Sequence, residues 1–165
     1  MIELRPFKRA DAAATQWLHH ETISTINSKD YSSEQIEKWS ALNSSAEWWA
    51  KSLLKNIAYV ACDGSEIVGF GDVTREGFVL RLYVHKDHQG KGIASKLLNA
   101  LEQDVRKIGL ERIWLESTET AHTFYQKNGY SDIESKMKDM RGTPLKVYVM
   151  EKKFPARKAA IGETQ

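Results

Sequence analysis

Residues Val79–Ala100, VLRLYVHKDHQGKGIASKLLNA, restrict what this chain can fold into more than any other stretch. Val79–Val84 is a run of β-branched, aromatic and long apolar side chains broken only by Arg81, the composition of a buried strand. His85–Gly90 is polar and ends it. From Ile93 onward, Ile93, Leu97, Leu98, Leu101, Val105 and Ile108 recur at helical spacing, with Lys96, Asn99, Glu102, Arg106 and Lys107 between them. The intervening turn, Gln89-Gly90-Lys91-Gly92-Ile93-Ala94, stands where the helix begins. Its N–H groups have no intrahelical partners and lie at the positive end of the macrodipole. Two glycines let several N–H groups curl toward one anion, and the small Ala94 permits close approach. Such a turn is a candidate pyrophosphate cradle. It is not a P-loop, because Gly-x-x-x-x-Gly-Lys-Ser/Thr does not occur. A dinucleotide site stays open through Glu111 and Glu116, about twenty positions on. Against it, Ser95 replaces the third glycine, and one βαβ unit is too little for a doubly wound sheet.

The rest of the chain supplies partners for this unit. Ile2–Arg5 reads as a short strand stopped by Pro6, and Asp11 as the cap of a helix with Ala14, Trp17 and Leu18 on one side. Glu21–Tyr31 reads as irregular, Ser32-x-x-Gln35 as a capping box before Ile36 and Trp39, and Ala46–Lys55 as a helix after Ser44-Ser45. Ile57–Cys62 and Ile67–Thr74 form a hairpin around Asp63-Gly64; Gly69 and Gly71 suggest a bulge or a close neighbour. Glu76-Gly77 then turns into the central strand. The long helix stops near Gly109, so Arg112–Glu116 is reached by a crossover and runs parallel to Val79–Val84. Thr118 caps a helix bearing Ala121, Phe124 and Tyr125, and Tyr130–Met140 with Leu145–Lys152 make a last hairpin across Arg141–Pro144.

Two motifs, in order, resemble the GNAT-type N-acetyltransferases that use acetyl-coenzyme A. The first is Gln/Arg-x-x-Gly-x-Gly/Ala after the central strand, matched by Gln89, Gly92 and Ala94; the second is the Ala121…Tyr125…Gly129-Tyr130 segment. The resemblance covers roughly Ile67–Met150 and is weaker over the N-terminal third. It implies an α/β fold of the GNAT acyl-CoA N-acyltransferase type, an α+β mixed sheet. Four antiparallel strands would lead into a parallel pair of the fourth and fifth, then a C-terminal hairpin. It implies a single domain over 1–154, with 155–165 a frayed tail. It also implies that the backbone of Leu82, Tyr83 and Val84 holds pantetheine like an added strand, and that Gln89, Gly90, Lys91, Gly92, Ile93 and Ala94 hold the pyrophosphate. Tyr125 matches the position that protonates the departing thiolate. Glu116, at the exit of the fifth strand, is the best-placed carboxylate for a base, beside a solvated or capping role and a water relay. Acetyl-CoA is then the co-substrate, without a metal, and the acceptor an amine, first a small molecule and alternatively a protein or peptide. A protein acceptor would need an open groove between the N-terminal helices and the last hairpin turn. An acyl-CoA-binding sensor without turnover is the rival from another class, and a homodimer is compatible with the fold.

Composition narrows the rest. The chain has 165 residues, 41% hydrophobic and 28% charged, which fits one globular domain. A net charge of +2 gives no argument for nucleic acid or an anionic membrane surface. Cys62 is the only cysteine and reads as a small buried thiol. Met1-Ile-Glu-Leu-Arg-Pro is unlike a signal peptide and no segment reaches the ~20 apolar residues of a membrane span, so a cytoplasmic location is the expectation. His19-His20 read as exposed helix residues before a base or a substrate contact, and His85, Asp87 and His88 as solvated turn residues rather than metal ligands. Of the adjacent Trp48 and Trp49, one belongs in the core and the other could line a pocket near Tyr31 and Trp39.

Overall fold

The computed structural model describes residues 1–140 and 142–155. The expected tail from 156 on, and Arg141 in the last turn, lie outside the described residues. The strands are β1 (Ile2–Pro6), β2 (Ile57–Asp63), β3 (Glu66–Val73), β4 (Phe78–Val84), β5 (Arg112–Ser117), β6 (Ser131–Met140) and β7 (Thr143–Lys153). They form one sheet in the order β1-β2-β3-β4-β5-β7-β6, antiparallel throughout except for the parallel β4/β5 pair. This is the expected mixed sheet.

Helices cover both faces: α1 (Ala12–Thr25), α2 (Ser33–Trp39), α3 (Ala46–Leu54), α4 (Ile93–Lys107) and α5 (His122–Lys127). Ile93, Leu97, Leu98, Leu101 and Val105 of α4 are buried against β2–β5, as the helical spacing requires, while Ile108 caps the helix in the open. The approach is close. A Cβ on Gly69 would sit 3.2 Å from Ile93 Cγ2 and Leu97 Cδ1, so glycine lets α4 settle onto β3. On the opposite face α1 and α3 bury Leu18, Trp49, Leu53 and Phe70.

That face also holds a buried ion pair. Arg81 Nη2 and Nε donate to the two Asp72 oxygens at 2.7 and 2.9 Å, Nη2 also reaches Ser52 Oγ at 2.8 Å, and the guanidinium lies over Trp49. The one charge interrupting the apolar run is thus neutralised and hydrogen-bonded, as a charge away from water must be. Beside it the β3/β4 register slips: Asp72 faces Arg81 but Val73 faces Val79, so Leu80 has no opposite number. A bulge of this kind bends its strand.

The N-terminal third departs most from expectation. α1 continues through Glu21–Thr25, where an irregular stretch was expected, and its core face is not Ala14-Trp17-Leu18. Ala14 and Trp17 are exposed; Ala12, Thr15, Gln16, Leu18, His19, Thr22 and Ile23 are buried. The polar members are hydrogen-bonded: Gln16 Nε2 donates to the Ala41 and Ser44 carbonyls, and Thr15 Oγ1 accepts from Trp49 Nε1. The Asp11 carboxylate does not cap α1. It takes both Arg5 Nη1 and Nη2 at 2.8 and 2.9 Å and the Lys8 N–H. The Ser32–Gln35 capping box forms in both directions. Trp49 is core and Trp48 exposed on the far side of α3, and Cys62 is a buried free thiol.

Candidate active site

The site follows from how little β4 and β5 pair. Only Phe78↔Trp114 and Val79↔Leu115 are opposed; beyond the bulge at Leu80 the strands separate. Between them opens a cleft of about 210 Å³ whose walls include Leu82, Tyr83, Ala94, Glu116, Ser117 and Tyr125. Leu80–Val84 therefore turns a backbone edge toward the cleft with no strand opposite it, a place for an extended amide-bearing ligand.

At the C-terminal end of β4 the chain reverses into α4. Gln89 Nε2 donates to Val84 O at 2.7 Å, so this side chain pins the turn to the end of the strand. Gly90 and Gly92 have φ of 75° and 78°, which L side chains rarely adopt, and a Cβ on either would meet nothing within 4 Å. Gly92 is the N-cap of α4 and no side chain caps the helix; its first intrahelical bond is Lys96 N–H to Gly92 O at 3.1 Å. The N–H groups ahead of Lys96 thus lie at the positive pole without intrahelical partners, beside exposed Lys91. Ile93 can contribute only backbone, since its side chain is core.

Across the cleft stands Tyr125 of α5. Thr118 Oγ1 accepts from Ala121 N at 3.3 Å and the helix proper starts at His122, slightly later than its expected cap. Tyr125 is 8% exposed, packed between Phe124 and Tyr130, and its hydroxyl has no hydrogen-bond partner among the described residues. Burial pushes its pKa up, so the phenol stays protonated.

Glu116 also faces the cleft. Burial alone would raise its pKa, but Lys138 Nζ at 2.8 Å and Lys136 Nζ at 3.0 Å outweigh that and hold it below the usual carboxylate range. A carboxylate so paired is a weak base.

Thr22, Ile26 and Asn27, from the end of α1 and the turn after it, complete the wall. No local pattern pointed to them, because they reach the cleft through tertiary packing. His19 is not exposed, as expected from sequence, but 4% accessible; its Nδ1 accepts from Ala41 N at 3.1 Å and its ring abuts Tyr83. Burial, with Arg81 and His20 nearby, lowers its pKa to about 3. His20 is half-buried on Ser40 Oγ. His85 lies 3.3 Å from Glu21 and His88 3.7 Å from Asp63, and no group of three or more candidate metal ligands exists among the described residues.

The residues present fit acetyl-CoA: partnerless N–H groups at a helix start for the diphosphate, an open strand edge for the pantetheine amides, and a protonated phenol across from that edge.

Residues 27–152 match the acetyltransferase (GNAT) domain. No curated protein matches the sequence. Among solved structures, a GCN5-related N-acetyltransferase from Rhodopseudomonas palustris superposes with a TM-score of 0.88 at 27% identity, covering 92% of this chain and 95% of that one. The PaiA N-acetyltransferase of Thermoplasma acidophilum, solved with coenzyme A, gives 0.75 at 25% identity over 93% and 99%. The ribosomal-protein-S18-alanine N-acetyltransferase of Escherichia coli shares the fold alone, with 0.73 at 14% identity over 98% and 99%. No helix among the described residues is long and apolar enough to cross a membrane. With the domain matched over residues 27–152, this chain belongs to the GNAT acetyltransferases, and is an acetyl-CoA-dependent N-acetyltransferase.

Proposed function

We propose direct transfer of acetyl from acetyl-CoA to a primary amine on a small molecule, with Tyr125 as the general acid. The observation that carries this reading is the protonated Tyr125 hydroxyl, without a hydrogen-bond partner among the described residues, on the cleft wall across from the open edge of β4. Bound acetyl-CoA supplies an activated acyl group on sulfur. The N–H groups of Gly90–Ala94 grip its diphosphate, and the Leu82–Val84 edge aligns its amides so that a strand N–H can polarise the carbonyl. As the acceptor nitrogen bonds to the carbonyl carbon and the carbon–sulfur bond breaks, Tyr125 gives its proton to sulfur. It regains one, through water, from the nitrogen that has been acylated. A phenol and a thiol have comparable ordinary pKa values, roughly 8.5–10, and burial moves this phenol up from there, so it holds its proton until a thiolate forms beside it. Glu116, ionised and already paired with Lys136 and Lys138, is a poor proton acceptor, so the proton of the incoming ammonium group is assigned to leave through water.

A small acceptor is favoured because the expected peptide groove is clasped shut. Gln35 Nε2 donates to Pro144 O at 2.7 Å, Tyr31 Oη accepts from Glu119 N at 2.6 Å, and Asp30 takes Thr120 Oγ1 at 2.7 Å. These bonds tie α2 and its approach to the β6–β7 turn and the β5–α5 loop.

Thiol release from acetyl-CoA across a panel of small amines and peptides tests the reading. At least one small amine is expected to be consumed, with Tyr125→Phe lowering kcat at least about tenfold and leaving CoA affinity nearly unchanged. Turnover of peptides only would overturn the acceptor class, and full turnover by Tyr125→Phe the acid.

A further inference from the structure

The cleft wall carries a buried carboxamide that neither the fold nor the acetyl-transfer step uses. Asn27, in the turn after α1, lines the cleft and is 5% exposed, and its side chain has no hydrogen-bond partner among the described residues. An amide left in that state costs stability, and buried polar groups are rarely kept so unless something outside the chain bonds them. It is not sealed off. Among the described residues only His88 Nδ1 is a fully enclosed side-chain polar atom without a partner, so the Asn27 amide reaches the open space of the cleft.

The rest of the wall is already engaged. Its two charged side chains are ion-paired, Arg81 with Asp72 and Glu116 with Lys136 and Lys138. Of the side chains lining the cleft, only Asn27 and the phenols of Tyr83 and Tyr125 have a polar group without a partner among the described residues. Asn27 is also held in place. Its carbonyl accepts from Asp30 N at 3.0 Å and Tyr31 N at 3.1 Å, and both residues are fastened to the loop after β5, Tyr31 Oη to Glu119 N and Asp30 to Thr120 Oγ1. That loop leaves the end of β5, across the cleft from the β4 edge to which the pantetheine amides are assigned.

We propose that Asn27 selects the acceptor: its carboxamide pairs with a neutral group that both accepts and donates, a hydroxyl or a carboxamide, a few bonds from the amine. This rests on the acetyl-transfer reading above and narrows its small-molecule amine to an amino alcohol or an amino-acid amide. A carboxamide offers a carbonyl and N–H donors side by side, which such a group satisfies and an alkyl group does not. Neither charged side chain of the wall is unpaired, so a charged group in that place would meet no counter-ion. A site built to bond a hydroxyl or an amide rejects the analogue lacking it, because its own polar atoms are then left stranded.

Thiol release from acetyl-CoA tests this with primary amines in matched pairs, ethanolamine against propylamine and glycinamide against isobutylamine. The unaltered chain is compared with Asn27→Leu, which is close in size and makes no side-chain hydrogen bond. In the unaltered chain the hydroxyl or carboxamide member of at least one pair is expected to have the higher kcat/KM, by at least about tenfold. Asn27→Leu should cut that preference to about twofold or less, through KM, and Asn27→Ser, shorter but still polar, should keep part of it. Because the amide is bonded to nothing in the chain, the urea midpoint of Asn27→Leu should be no lower than that of the unaltered chain; a lower one would show the amide bonded within the fold and overturn the proposal. Hydroxyl and carboxamide amines used no better than their alkyl partners, a preference that survives Asn27→Leu, or a loss of CoA affinity in its place would each overturn it while leaving acetyl transfer to small amines intact. Release with no small amine at all is the failure of the transfer reading itself, and removes this one with it.

Discussion

His19 shows how a single side chain on this scaffold takes its properties from packing. Enclosed by Trp39, Trp49 and Tyr83, it is neutral, with its pKa lowered from 6.5 to about 3 by burial and by Arg81 and His20. In the unfolded chain the same imidazole binds a proton below pH 6.5. The unfolded state therefore holds more protons between about 6.5 and 3, and stability falls as the pH drops through that window. Going from pH 7 to pH 5 should cost the native chain about 2 kcal/mol more than it costs His19→Gln, which can still accept from Ala41 N. Urea midpoints at the two pH values measure this; equal losses in the two proteins would contradict it. Nothing in the sequence around His19 marks it as buried, because the groups that enclose it come from α2, α3 and β4. The places of Tyr125 and Gln89 on the cleft wall were legible, since each stands at a fixed offset within a motif. The state of Glu116 was not, because its two lysines lie on β6, some twenty residues further along the chain.

Elements were readable where one periodicity dominates. The apolar stripe of α4 and the run in β4 each appear where the residues place them; Gly69 marks the close packing of α4 on β3, and Gly71 the close approach of Arg81 and Leu82 on β4. α1 was misread because its buried face is half polar. Thr15, Gln16, His19 and Thr22 look like a solvent face to any hydrophobic pattern, and only their hydrogen bonds make them core. The turn into α4 makes the sharpest element-scale prediction. At Gly92 a side chain has room, with nothing within 4 Å of a Cβ, but φ of +78° is unfavourable for it. Gly92→Val should therefore leave the core packing intact and rotate the first N–H groups of α4 away from their common target. CoA binding is expected to weaken at least about tenfold by titration calorimetry. Unchanged affinity would remove the cradle from the account.

For the whole molecule, the sheet sets the function: one parallel pair among antiparallel neighbours, bulged at Leu80, leaves a strand edge open in the middle of the fold. The strand order around that gap was legible from turns and the single crossover. The contribution of the N-terminal third was not, since Thr22, Ile26 and Asn27 reach the cleft from far away in the chain. The central claim is that acetyl-CoA adds to the free edge of β4 and the start of α4. Amide hydrogen exchange with and without saturating CoA measures it segment by segment. The account predicts slowed exchange over Leu82–Val84 and Gly90–Ala94, with β1 and β2 unchanged. Protection confined to other segments, or none at all, would contradict it.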